Sequence, residues 1–272
     1  MAPPRFKETF KTAEQALRLI RAYPDIPRDL FWFLQYVVMN IVVGTLFFWL
    51  LNSIINHDVP KGDYGEACKN GTMVIVYIVV NTKYWILMSH QRALADLLAK
   101  VDDDPRRETY SPEEEAAVTL YAHKKGVFVC KLWIVVAFSI PILLVLHAVL
   151  EMCWLAYQGN FHLVPMYDLT YPDSINELKY LPSVYAANFV HCMLYATFVV
   201  AGYIGFDPLA PCLMLHACGQ LEVVRLRIGK LFPASGFDLK ETQRKLGDIV
   251  THLQEIYWYV SSLSNANNVT CT

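Results

Sequence analysis

From Leu30 to His57 the chain carries no Asp, Glu, Lys or Arg. An uncharged stretch of that length can cross a bilayer, whose hydrocarbon core takes about 20 apolar residues as a helix. Lipid offers the backbone no hydrogen-bond partner, so such a segment is held to a helix, which satisfies its own N–H and C=O groups. Three further apolar runs follow, and the four spans cover about 30–56, 72–89, 130–154 and 181–206. Charged residues make up 18% of the chain, against roughly 25% in soluble proteins, and the mean hydropathy is +0.29. The fold expected is all-α: a polytopic membrane helical bundle over 30–206, preceded by a polar segment, 1–29, and followed by a helical linker, 207–272.

Charge sets the orientation. Lys and Arg number six in 1–29, two in 56–70, six in 91–130, one in 157–180 and six after 206; Lys83 and Lys131, in or beside a span, complete the 23. Cytoplasmic loops hold the excess of Lys and Arg, so the pattern reads in, out, in, out, in, with a cytosolic N-terminus. The first 29 residues lack an apolar core, so no cleavable signal peptide is expected, and the first span would serve as its own insertion signal. Asn70-Gly71-Thr72, an N-glycosylation acceptor, falls on the outer side; a second, Asn268-Val269-Thr270, falls on the inner side, where it cannot be used. The seven cysteines show no CxxC spacing, which leaves neither a zinc site nor a disulfide framework. Only Cys68 and Cys153 approach the outer face, and a bridge between them stays open.

Several local signals carry structure. Ala13 to Ala22 can form a short helix ended by Tyr23-Pro24. Lys83 interrupts the second span; a Lys at a helix centre costs about 2.5–3.5 kcal/mol, so its stem snorkels inward or its charge finds a buried partner. Asp102 to Arg107 reads as a solvated turn. Ser111-Pro112-Glu113-Glu114 reads as a helix start, with Ser111 as N-cap, Pro112 at the first helical position and Glu114 closing a capping box. That helix runs on into the third span, where Pro141 should bend it and His147 and Glu151 share a face. The second outer loop, 155–181, is rich in Tyr and Phe and can anchor the bilayer edge or fold over the bundle mouth as a lid. A last amphipathic helix, Leu239 to Leu263, repeats apolar residues at helical spacing.

Enzyme chemistry finds no footing. No two of the eight histidines lie three to five residues apart, so there is no HxxxH or HExxH metal box. No nucleophile elbow, dinucleotide fingerprint or P-loop occurs, no metal site or cofactor is indicated, and no basic tract with interleaved aromatics points to nucleic acid. His147 and His191 read first as hydrogen-bonded bundle histidines.

Phe206-Asp207-Pro208-Leu209, continuing through Leu213-Met214-Leu215-His216-Ala217-Cys218-Gly219-Gln220-Leu221 to Arg225, resembles the inner end of the fourth helix of insect odorant receptors. Ile249 to Val260, with His252 before an apolar run, is similar to that family's cytosolic helix. Leu17 to Pro24 resembles its N-terminal motif, except that no Gly is present, and Tyr171-Pro172 is similar to an aromatic-Pro pair in its long outer loop. The resemblance implies a seven-helix subunit of a tetrameric, odorant-gated cation channel, assembled with a shared co-receptor in the plasma membrane of sensory neurons. It also implies ligands in the outer half of the bundle, a pore lined by the seventh helix and subunits joined through cytosolic helices. With four of seven expected spans, the chain is expected to be the N-terminal portion, ending before the fifth. A gustatory-type chemoreceptor and a complete four-span structural membrane protein remain the alternatives.

A volatile ligand needs apolar walls with few polar groups. Spacing of three and four gathers three candidate sets, each on one helix face: Met73, Val76, Tyr77 and Val80; Leu144, His147, Ala148 and Glu151; Tyr185, Asn188, Phe189, Cys192 and Met193.

Overall fold

Asp29 starts the first long helix by accepting the Trp32 N–H at 2.7 Å, which satisfies one of the donors a helix start leaves open. The computed structural model describes residues 6–102, 109–167, 169, 178–231 and 239–268, with side chains in the last helix to residue 261. Every long element among them is helical. The turn after Asp102, Tyr171-Pro172, Cys271 and the side chains of the acceptor at 268–270 lie outside the described residues.

Helix α1 is Phe6–Leu19; α2 is Leu30–Lys61 and α3 is Tyr64–Ser89. Helix α4 is Gln91–Asp102 and α5 is Pro112–Tyr157. Helix α6 is Pro182–Phe206, α7 is Leu209–Gly229 and α8 is Leu239–Asn268. Four helical runs, α2, α3, α5 and α6 with α7, are long and apolar enough to cross a membrane. They alternate in direction, so α1, α4, α7, α8 and the start of α5 gather at one end, called here the basic end.

Helix α5 has 46 residues, about twice what a bilayer takes, so its first turns stand clear of the apolar stretch. They begin as the Ser111 to Glu114 spacing predicts. Ser111 Oγ accepts the Glu114 N–H and Glu114 accepts the Ser111 N–H at 2.9 Å. Wider π-type turns follow over Thr119–Lys125, and the helix then continues through Pro141.

Some expectations are corrected. The outer loop at 57–70 shrinks to a turn at Gly62-Asp63. Gly62 takes a left-handed φ of 76°, which a residue without Cβ adopts freely, and Asp63 caps α3 by accepting the Glu66 N–H. Asn70 therefore lies within α3, fully buried. Its amide donates to Asp58 Oδ2 at 2.9 Å, while Ser53 donates to the other oxygen. The reading of Asn70 as a glycosylation acceptor gives way to an internal strut between α2 and α3. Cys68 and Cys153 are free thiols.

The N-terminal segment differs most. Helix α1 starts at Phe6 rather than Ala13 and ends at Leu19, because Arg21 turns left-handed (φ 57°). The Ala22 and Arg21 N–H groups then close onto Leu17 and Arg18 carbonyls, a Schellman-type stop. Phe6, Phe10, Ala13 and Leu17 are buried, spaced four, three and four apart on one face. That face packs on the inner parts of α5 and α6. Gly126 and Gly205 admit it, since a Cβ there would lie 2.6 Å from Thr9 and from Leu17. The polar N-terminal segment is thus packed into the bundle.

Candidate ligand-binding site

Helices α3, α5 and α6 splay around a cavity of about 190 Å³ in the middle of the bundle. Met73 and Val76 line it from α3, Trp133 to Leu144 from α5, and Tyr195 to Tyr203 from α6, with Tyr167 above. Polar groups that approach it are mostly spent. The Tyr195 hydroxyl donates to the Met73 carbonyl at 2.7 Å, and the Tyr167 hydroxyl donates to Met73 Sδ at 3.3 Å. A cavity with such walls stays dry and favours apolar guests; for scale, an engineered apolar cavity of about 150 Å³ binds benzene.

A smaller chamber lies toward the opposite end, lined by Pro165, Met166, Tyr167, Tyr185, Asn188 and Phe189 among others. The chain entering it is tucked inward: Val164, Met166, Tyr167 and Leu169 are buried, and the Tyr185 hydroxyl holds the Val164 carbonyl at 3.1 Å. Outward-turned Tyr157 and Phe161 leave the covering role to these residues.

Sequence-derived site residues divide accordingly. Met73, Val76 and Leu144 line the large cavity, and Tyr185, Asn188, Phe189 and Cys192 line the smaller chamber. Tyr77 and Val80 lie on the next face of α3. The Tyr77 ring sits 4.6 Å from Phe47, and Val80 is fully buried where Gly202 leaves room for it. Ala148 is buried, but His147 and Glu151 pair with each other at 3.8 Å on an exposed face of α5. Met193 also points away, onto an open groove between α1, α5 and α6. Those two polar residues and Met193 are thus not brought to the cavities. Trp133, Tyr167, Tyr195 and Tyr203 do line them without having been singled out. An aromatic in an apolar span, such as Trp133, Tyr195 or Tyr203, gives no sign of which way it faces, and Tyr167 is one of several aromatics in the outer loop.

Below the cavity, Lys83 meets its partner. Its ammonium pairs with Asp207 and lies 4.9 Å from the centre of the Tyr203 ring. The two are 124 residues apart, and the pair joins α3 to the α6–α7 junction. His191 bridges elsewhere, donating to the Val42 carbonyl at 2.6 Å.

Residues of the two motif stretches form a polar knot at the basic end. Gln220 Oε1 accepts from the Tyr110 hydroxyl at 2.9 Å and from His252 Nε2 at 3.0 Å. The Tyr259 hydroxyl donates to the Leu213 carbonyl at 2.8 Å. His216 packs edge-on against both Phe6 and Tyr259. Arg227 reaches across to the Glu114 carboxylate at 3.0 Å. Burial is the strongest single influence and would raise the Glu114 pKa, but the Arg227 hydrogen bond, the Ser111 N–H and the charges of Arg227 and Lys230 together outweigh it and hold the carboxyl below its ordinary range. These contacts fasten α8, α7, α1 and the start of α5 into one block beneath the spans.

No curated protein matches the chain. The model of a family described as 7tm odorant receptor matches residues 63–272, a stretch that holds three of the four spans, both chambers' helices, Lys83 with Asp207, and the whole of the α7–α8 knot. The chain belongs to the 7tm odorant receptor family.

Proposed function

We propose that this chain is the ligand-binding subunit of an odorant-gated cation channel, assembled with a co-receptor of the same family and serving the sense of smell. The observation that carries the reading is the apolar cavity between α3, α5 and α6, sized for a small volatile molecule, with the Tyr195 and Tyr167 hydroxyls beside it bonded within the protein. Such a site gains affinity from buried apolar area, about 25 cal/mol per Å². It discriminates by shape rather than by hydrogen bonding. A receptor family is the natural home for it, and no reaction is assigned.

The basic end faces the cytosol in this reading, because the blocks of six Lys and Arg gather there and such blocks stay on the cytoplasmic side. Odorant would then occupy the middle of the membrane, and the knot of α7 and α8 would sit in the cytosol of a sensory neuron. The Lys83–Asp207 pair, touching the cavity wall through Tyr203, lies between the two and is placed to pass strain from one to the other.

The test is expression from the complete gene together with a co-receptor, recording odorant-evoked cation current. Leu144→Trp, which fills the cavity, should abolish the response while surface labelling persists. An unchanged response in that variant, or current absent across a broad panel in the wild type, would refute the reading. An epitope at the N-terminus should be labelled only after permeabilisation.

A further inference from the structure

Tyr167 is the residue common to the linings of both chambers. The smaller chamber reaches down α6 to Cys192, and the larger begins one turn further on at Tyr195 and Ala196. The two are therefore stacked along one helix. Between them lies the Tyr167 ring, 3% exposed. Its hydroxyl is fixed to Met73 Sδ, and Met73 is in turn held through its carbonyl by Tyr195. Above the ring remains a space of about 20 Å³, enough for roughly one water molecule; below it lies the 190 Å³ cavity.

We propose that Tyr167 is the specificity-determining residue that sets the upper length of the ligand, by walling the mid-bundle cavity off from the chamber above it. This rests on the reading of the cavity as the odorant site. The ligand class that follows is a compact, hydrogen-bond-poor volatile, since the Tyr195 and Tyr167 hydroxyls at the upper end are already committed. A longer hydrocarbon meets the Tyr167 ring end-on. A thioether is a weak acceptor, so the ring is held mainly by its packing, and a smaller side chain would merge the chambers without unmaking a strong bond.

The probes are an alkylbenzene series, benzene through hexylbenzene. They are tested on the 272-residue chain in lipid nanodiscs, by the rise in melting temperature with ligand, and on the complete receptor with its co-receptor, by current. Wild-type affinity should climb about fourfold per added methylene up to a cut-off length and then fall. Tyr167→Leu and Tyr167→Ala should move that cut-off to longer chains, and Tyr167→Trp to shorter ones. Should Tyr167→Ala fail to fold, the Leu and Trp variants give shifts of opposite sign and decide the matter. Folded variants that bind the series with the wild-type cut-off overturn the role of Tyr167 and leave the odorant site standing. Absence of binding by every member to the wild type overturns the odorant site itself, and the role of Tyr167 with it.

Discussion

Replacing Lys83 with Met should destabilise the bundle more than replacing Asp207 with Asn, and the difference follows from burial. The Lys83 side chain is 33% exposed and that of Asp207 11%. Removing one partner of a fully buried pair costs about 3–5 kcal/mol, because the other charge is stranded, whereas an exposed pair is worth about 0–1 kcal/mol. Lys83→Met strands the less exposed partner: the Asp207 carboxylate has a short stem and is fixed at the α6–α7 junction. Its expected cost is about 2–3 kcal/mol, between those limits. Asp207→Asn strands Lys83, which keeps the Tyr203 ring face, worth about 0.5–1 kcal/mol, and can extend its stem toward water. That variant should lose about 1 kcal/mol. The double variant Lys83→Met with Asp207→Asn removes both charges and should recover part of the loss. The cycle would give a coupling of about 1–2 kcal/mol, within the range for contacting residues. Reversible unfolding in mixed micelles, titrated with SDS, measures all four proteins. A coupling indistinguishable from zero, or a larger loss for Asp207→Asn, would refute the argument.

Three shorter expectations follow from other contacts. Glu114→Gln should lose about 1–3 kcal/mol at neutral pH through its bonds to Arg227 and Ser111. The folded pKa of Glu114 lies below its ordinary value, so the wild-type contribution is complete above about pH 4.3 and is lost as pH falls through the lower folded value. The variant should therefore show a flatter acid limb in unfolding measured from pH 7 to 3. Gly205→Ala puts a Cβ 2.6 Å from Leu17 Cδ2. Overpacking of that kind costs about 1–3 kcal/mol and should expose α1 to limited proteolysis, with Leu17→Ala in the same chain restoring protection. Gln220→Leu keeps the volume but removes the oxygen shared by Tyr110 and His252, so hydrogen exchange in α8 should quicken while α2 and α3 keep their protection.

The sequence made some of this readable and hid the rest for definable reasons. Ser111 and Glu114 could be paired at sight because a capping box is local, three residues wide. Lys83 called for either a snorkelled stem or a buried partner, and Asp207 could not be named as that partner from a sequence separation of 124. Pro60 and Gly62 read as loop residues. Pro60 instead lies in the last turn of α2, just after wider π-type turns over Ile54–Asp58, and Gly62 supplies only the turn. Helix α1 was mis-phased because its apolar face begins at Phe6, inside what composition marks as a charged segment. In α5 the difficulty is of another kind. A helix apolar all round has no phase for periodicity to find, so the i, i+4 pair His147 and Glu151 suggested a face that the bundle turns outward.

The same contrast explains why the motif residues and the cavity residues are different sets. Asp207, His216, Gln220 and His252 are polar groups in crowded positions, each needing a specific partner. Asp207 and Gln220 find theirs on remote helices, Lys83 for one and Tyr110 with His252 for the other. A change at Gln220 or His252 leaves a buried polar partner with less than it requires, which costs about 1–3 kcal/mol. The cavity imposes no such demand. Met73, Val76, Leu144 and Val199 contribute shape alone, and another apolar residue of similar volume usually costs less than about 1.5 kcal/mol. Positions that can change so cheaply are free to tune a ligand preference, and for that reason they look like any other residue of a lipid-crossing helix. Tyr167 belongs with the cavity residues: its ring acts by shape and is held mainly by packing, its hydroxyl making only a weak contact to the Met73 thioether.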